Sequence, residues 1–370
     1  MKILKANAPL TSQQNEELLS LLPPEVPPDK VLFWDIETTG FSRRYDSVYL
    51  MGYFYWEGRR PFVEQHLASS TAEEIGLLEN FLQKSEDYDL LITYNGDTFD
   101  IPFVRERLRQ MRIAGLLTDI RSLDLYKLYR PYASFFGWDS CKLKSLERFL
   151  GVDRQDTMDG GELIEVFYEY SRTEDPGLEK TLLLHNYEDI LNLPHLLKIE
   201  QYAQYLRNCR ALGLTFAQKS REASMIFNLA EPCPFSHTAT YTLKRDFDPI
   251  TFQTQSGSPV LTLILPASED CLNYYLPNYK EYYILPSGVL HHRSLGVPPV
   301  KKAATRAECF LPKSGIFIPG GRPLALPGLH EFRRTYKDKN IYYEMEEVKH
   351  WTQERDSELL SQFMHSWIGL

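Results

Sequence analysis

Residues 31–40 read VLFWDIETTG. The run VLFWDIE is apolar and strand-like, and it ends in an acid-x-acid step before a TTG turn. Side chains alternate across a strand, so Asp35 and Glu37 share one face while Ile36 points into the sheet. Two carboxylates on one strand repel unless a cation lies between them, and hard divalent cations favour such oxygen donors. A polar strand end leading into a turn has the same local sequence, so the pair needs company elsewhere in the chain.

The surroundings of this strand read as α/β. Residues 47–56 (SVYLMGYFYW) and 61–68 form two further strand patterns joined by a turn around EGRR. Residues 71–84 have helical periodicity, with Thr71 placed as N-cap and Glu74 three residues later as its capping-box partner. Residues 89–94 (DLLITY) read as a fourth strand. Residues 100–112 read as a basic amphipathic helix, and 142–150, 162–172 and 176–207 as further helices, the last interrupted at Pro194. Strands followed by helices in this order predict a mixed sheet flanked by helices.

Residues 1–30 read as an N-terminal arm: a short helix near residues 15–22, then PPEVPP, whose prolines forbid continuing it. The sheet-bearing domain is expected over 31–212. Residues 213–370 change character, with prolines, β-branched residues, tyrosines and turn signals such as PSG and KSG. They predict a smaller β-rich C-terminal domain closed by a helix around residues 357–367.

The charge is uneven. Net charge is −9, but residues 1–210 hold 24 Lys+Arg against 34 Asp+Glu, and residues 211–370 hold 17 against 16. The acid excess lies wholly in the first part, as a carboxylate-built metal site requires. No apolar run approaches the roughly 18 residues a membrane span needs, and the first residues lack a secretory pattern. The five cysteines, 141, 209, 233, 271 and 309, form no CxxC pair. They predict free thiols in a reducing cytoplasm rather than a disulfide framework or zinc site.

Two more stretches carry chemistry. In YNGDTFDIPF, residues 94–103, a strand ends, Asn95-Gly96 turns, and Asp100 opens the next helix, where the helix dipole favours a carboxylate. Asp100 also suits an N-cap, and Asp97 reads as a solvated turn residue. In HNYEDILNL, residues 185–193, His185 and Asp189 are i and i+4 and share a helix face. Tyr187 is only two residues from Asp189 and points elsewhere.

Strand D-x-E, then N-G-x-x-F-D, then H-x-x-x-D, in this order, resembles the three motifs of the DEDD exonuclease superfamily, and most of all its YprB-type ribonuclease H-like branch. Residues 140–170, SCKLKSLERFLGVDRQDTMDGGELIEVFYEY, are similar to a segment of that branch. The resemblance covers roughly residues 31–205. It implies a ribonuclease H-like mixed sheet, with Asp35, Glu37, Asp100 and Asp189 as ligands to two Mg²⁺ or Mn²⁺ ions. It also implies His185 as the residue that orients or deprotonates water. Imidazole titrates near 6.5, which suits a base at cellular pH. One departure stands out. The best-known branches use Y-x-x-x-D or H-x-x-x-x-D, and this chain puts His at the tyrosine spacing.

The implied activity is 3′-to-5′ hydrolysis of single-stranded DNA or RNA. Two other readings share these residues: a nucleic-acid-binding protein without turnover, and a structure-selective endonuclease. Thr38, Asn95, Phe99 and Arg154 are the candidate substrate contacts. Phe99 has two readings, a wedge against a terminal base or a core contact. Arg105, Arg107, Arg109 and Arg112 follow Asp100 on one helix and cannot all face one way. In the second domain, EFRRTYKDKNIYY interleaves cations with aromatics, as a strand-binding surface or a solvated hairpin would. No protein partner is identifiable.

Overall fold

The computed structural model describes residues 1–115, 120–138, 140–219, 221–241, 249–299, 301–321, 326–353 and 355–368. Two compact units emerge, Met1–Ala133 with Trp138–Gln201, and Ser134–Gly137 with Tyr202–Leu370.

The first unit is built on a six-stranded mixed sheet. Its strands are β1 (Lys2–Asn7), β2 (Val31–Thr38), β3 (Val48–Glu57), β4 (Arg60–Leu67), β5 (Leu90–Thr93) and β6 (Arg121–Asp124). They lie in the order β1-β4-β3-β2-β5-β6, antiparallel from β1 to β2 and parallel from β2 to β6. The first thirty residues, expected as an arm, thus supply an edge strand and a helix, α1 (Ser12–Leu21). The strand KILKAN is exposed at nearly every position. Its apolar residues, Ile3, Leu4 and Ala6, follow no two-residue period, and cross-strand pairing to β4 holds it in place.

The other helices of this unit are α2 (Glu74–Ser85), α3 (Asp100–Met111), α4 (Leu125–Tyr129), α5 (Ala133–Phe136), α6 (Leu143–Phe149), α7 (Gly160–Thr173), α8 (Pro176–Asn192) and α9 (Leu197–Asn208), with α5 and α9 shared with the second unit. They cover both faces of the sheet. Leu32, Trp34 and Ile36 point to one side and pack with Leu77, Leu78 and Phe81 of α2 and Phe103 and Val104 of α3. Trp34 stacks on Phe81 at 4.3 Å. Tyr49, Leu50 and Leu67 face the other side against Leu163 and Phe167 of α7 and Leu182 of α8. Coverage on both faces explains why β3 is buried along nine of its ten residues.

Local chemistry sets the helix starts. Asp175 caps α8 through the amides of Gly177 and Leu178, with Pro176 at the first position. Asp159 and Glu162 form a capping box on α7. The box expected at Thr71 and Glu74 does not form. Thr71–Glu73 is a 3-10 turn, and Glu74 is fully buried, accepting from Val48 N–H at 2.9 Å and from Arg107 at 2.8 and 2.6 Å. A core ion pair with Arg107 outcompetes a surface cap. At Pro194 the expected interruption is a 3-10 turn, Leu193–Leu196, separating α8 from α9.

The second unit is β-rich. β7 (Ala211–Lys219), β8 (Glu222–Leu229), β9 (His237–Tyr241), β10 (Ile250–Thr254) and β11 (Val260–Pro266) form a sheet in the order β7-β8-β11-β10-β9. Next in sequence are β12 (Ser268–Tyr275), β13 (Tyr282–Ile284), β14 (Leu290–His292), β15 (Lys302–Ala303), β16 (Phe310–Pro319), β17 (Phe332–Arg333) and β18 (Tyr342–Glu344). Of these, β12-β16-β18-β17 close a small barrel and β14-β13-β15 form a three-stranded sheet. Tyr274, Tyr279 and Tyr282 pack around Leu276, Ala304 and Cys309. Two helices end the described chain, α10 (Met345–Gln353) and α11 (Ser357–Ile368). Among the described residues, no helix is long and apolar enough to cross a membrane.

Candidate functional site

The site grows from the carboxyl end of β2. Asp35 pairs across with Gly52 and Glu37 with Leu50, and the register slips between Glu37 and Thr38. A bulge here releases the chain from the ladder just past the two carboxylates.

Asp100, expected either as N-cap or as ligand, stands inside α3, with Phe99 at the cap position and no side-chain cap bond. Its Oδ1 instead accepts from the Ile36 amide, 3.2 Å away and between the two β2 carboxylates in sequence. α8 brings the rest. His185 Nε2 lies 3.6 Å from Glu37 Oε1 and 3.8 Å from Asp189 Oδ2. Donor atoms of Glu37, His185 and Asp189 all fall within 4.8 Å of one another. Asn186, next on the helix, donates from Nδ2 to Asp35 Oδ2 at 3.0 Å and accepts from Gln65 at 3.0 Å.

α8 reaches this depth because residue 52 is glycine. A Cβ there would meet Asn186 Oδ1 at 2.2 Å and Ile190 Cγ1 at 2.7 Å.

The electrostatics are those of crowded, desolvated acids. Burial raises the Asp35 carboxyl well above its usual range, and the charges of Glu37, Asp100 and Asp189 raise it further. Burial also raises Glu37, with Asp189 and Asp100 adding to it. Asp100 is pushed up to about 7, first by burial, against the hydrogen bonds to its carboxylate. Like charges within one dry site favour protonation unless a cation neutralises them. The donor set, four carboxylates and one imidazole, therefore fits a hard or borderline divalent ion. Three of those five groups, Glu37, His185 and Asp189, are already gathered tightly enough for one.

A second layer holds this cluster, and sequence reasoning missed most of it. Asp156 Oδ2 lies 2.8 Å from His185 Nδ1 and 2.9 Å from Lys144 Nζ. Burial would raise the Asp156 carboxyl, but Lys144 and His185 hold it below the usual range. Arg154, expected as a substrate contact, has other partners. Its side chain is 7% exposed, with the guanidinium bonded to Asp189 Oδ1 and its Nε 3.1 Å from Glu147 Oε2. It holds a site carboxylate rather than offering a charge to solvent. Burial pushes Glu147, fully enclosed, up to about 7 despite Arg154. Glu188 fastens the same loop through the amides of Gln155 and Asp156 at 2.9 and 2.8 Å. The available signal was the placement of Arg154 and Asp156 within the motif-like segment 140–170.

The remaining candidates sit around the rim. Thr38 Oγ1 donates to Gly40 O at 2.7 Å and shapes the turn after β2. Asn95 adopts a left-handed backbone, φ 66°, which starts the turn into α3. Its amide is held by Asp124 at 2.8 Å. Phe99 is half-buried between Phe41 at 6.3 Å and Phe103 at 5.5 Å. Asp97, read as a solvated turn residue, pairs with Lys127 at 2.8 Å and Ser122 at 2.6 Å. The arginines of α3 divide. Arg107 is buried on Glu74, and Arg112 ends the helix in a left-handed conformation. Arg105 and Arg109 join Phe41, Arg43 and Arg44 around a cleft of about 760 Å³.

A model of the RNase_H superfamily matches residues 32–200. The chain is 29% identical over 177 residues to "Uncharacterized protein YprB" of Bacillus subtilis (strain 168), a match over 45% of this chain and 40% of the relative. The chain thus spans less than half the length of that curated relative. Among solved structures, the family B DNA polymerase of the archaeon Pyrobaculum calidifontis aligns over 50% of this chain and 25% of its own, at 19% identity and TM-score 0.40. A structure titled "apo form of the nuclease" aligns over 54% and 79%, at 16% identity and TM-score 0.33. Over residues 32–200, the two sequence matches and the mixed sheet described above agree on a ribonuclease H-like fold, similar to YprB and to the RNase_H superfamily.

Proposed function

We propose that the first unit is a metal-dependent nuclease removing nucleotides from the 3′ end of single-stranded nucleic acid. The observation that carries this is the gathering of Glu37, His185 and Asp189 within 4.8 Å, flanked by the two further carboxylates Asp35 and Asp100. Mg²⁺ or Mn²⁺, two per site, would be held by Asp35, Glu37, Asp100 and Asp189; when bound they neutralise these charges and polarise phosphate and water.

The chain's own residues have distinct tasks in this reading. With Asp156 accepting from Nδ1–H, His185 keeps the Nε2 lone pair toward Glu37 and Asp189, where it can take a proton from water. Asn186 and the Ile36 amide each tie one oxygen of Asp35 and Asp100 and so orient the other. The cleft at Arg43, Arg44, Arg105 and Arg109 suits phosphates, and exposed Phe41 offers a ring to a base. The five described cysteines are all free, which fits a reducing cytoplasm.

One observation favours a second reading, binding without turnover: the Arg154 guanidinium occupies an oxygen of Asp189. End-labelled single-stranded DNA and RNA, incubated with Mn²⁺ or Mg²⁺ and with EDTA as control, separate the readings. A ladder from the 3′ end that EDTA abolishes supports the exonuclease, and Asp35→Asn should lower its rate by about 10²–10⁴ with the fold kept. Binding without cleavage supports the second reading. Discrete internal products indicate an endonuclease.

A further inference from the structure

The second unit holds a cleft that the nuclease reading does not use. It has a volume of about 590 Å³ and opens where β12 leaves the small barrel, between Tyr274, Tyr275, Tyr336, Arg306, Arg333 and Glu331. That volume lies within the roughly 300–1,000 Å³ common for ligand sites.

Its walls are of two kinds. Tyr336, Tyr275 and Phe310 form a row of rings with centroids 5.4 and 5.5 Å apart, and Tyr336 and Phe310 are 40% and 36% exposed. Tyr274 is anchored behind them against His330 at 4.3 Å and the barrel core of Leu272, Phe317 and Phe332. The cations differ in their freedom. Arg333 is fixed by Asp338 O at 2.7 Å and by Glu331 at 3.7 Å. Exposed Arg306 makes no hydrogen bond or ion pair among the described residues. Two guanidinium groups against one carboxylate leave the cleft positive.

Partly exposed rings in a row beside positive charge match one ligand chemistry best. A single strand offers unpaired bases that stack and phosphates that pair with arginine, whereas a duplex hides its base faces. An enclosed phosphate cradle would instead suit a free nucleotide, and here the rings continue outward along the surface. We propose that this cleft binds single-stranded nucleic acid, with bases on Tyr275 and Tyr336 and phosphates on Arg306 and Arg333. The choice of nucleic acid over other flat anions rests on the nuclease reading above.

The test is fluorescence anisotropy of the full chain in EDTA, with labelled oligothymidylate and oligouridylate of about 20 nucleotides. Tyr336→Ala and Arg306→Glu should each weaken binding about tenfold. Arg306→Glu should also reduce the slope of log affinity against log salt by about 0.7. Tyr336→Trp and Arg306→Lys should restore binding, and unchanged melting temperatures show that the weak variants fold. Preference for one oligonucleotide assigns DNA or RNA and supports the proposal. Unchanged affinity in both weak variants, a wild type that binds neither strand, or equal affinity for thymidine monophosphate overturns it. Hydrolysis by Asp35→Asn with Mn²⁺ is assayed separately: if it persists, the nuclease reading fails, while the metal-free binding result still decides the cleft.

Discussion

Asp156 Oδ2 lies 2.8 Å from His185 Nδ1, on the side of the ring opposite the Glu37 and Asp189 carboxylates. The carboxylate fixes which nitrogen carries the proton and leaves the other facing the candidate site. Asp156→Asn removes the charge and keeps the shape, so hydrolysis should fall about 10–100-fold. Because Asp156 acts through the ring, Asp156→Asn combined with His185→Ala should be no slower than His185→Ala alone. Additive losses in single-turnover kinetics would show that Asp156 has a separate role.

The raised carboxyls predict a pH effect of definite sign. Asp100 is pushed up to about 7 in the folded chain, against about 3.9 unfolded. Between these values the folded state binds more protons, so this group's contribution is favourable at low pH and is lost as pH rises from about 4 to about 7. The metal-free protein should therefore melt at a lower temperature at pH 7.5 than at pH 5.5, and Asp100→Asn should flatten that difference. Added Mn²⁺ should raise the melting temperature most at pH 7.5. Scanning calorimetry with and without EDTA reads all three.

Gly52 sets how close α8 comes to the sheet. Gly52→Ala places a methyl carbon against Asn186 and Ile190, at a cost of about 1–3 kcal/mol of stability. It should also separate Asn186 from Asp35 and lower the rate in parallel. A urea midpoint equal to that of the unaltered chain would contradict the close approach.

Arg154 is wedged between Asp189 and the buried Glu147. Arg154→Met leaves Glu147 without its cation and should cost about 3–5 kcal/mol in equilibrium unfolding. Adding Glu147→Gln should recover much of that loss, since a neutral amide does not need the partner. If the double variant is as unstable as the single one, the Glu147 charge is not the cause.

Much of the site could be read because its spacings are local. Asp35 and Glu37 follow strand alternation around Ile36, and His185 and Asp189 follow the helical repeat; the structure places both pairs accordingly. Asp156 and His185 are 29 residues apart, and Asn186 reaches Asp35 across 151. No periodicity encodes such contacts. Glu74 shows the opposite failure: its local pattern fitted a cap, but desolvation and Arg107 drew it inward. β1 escaped notice because an edge strand with exposed side chains needs no apolar code. The β-rich character of the second unit was plain from composition, whereas its closed barrel depends on pairings such as Tyr274 with Phe332 that cross long stretches of chain.

The contact between Asn186 and Asp35 also orders events in time. Synthesis proceeds from the amino end at about 5–20 residues per second, and the segment that carries His185 and Asp189 emerges roughly 7–30 s after β2. Until α8 settles over Gly52, the growing chain holds acids without their histidine. A chain with the proposed activity therefore lacks its complete site until α8 has emerged, about halfway along the 370 residues.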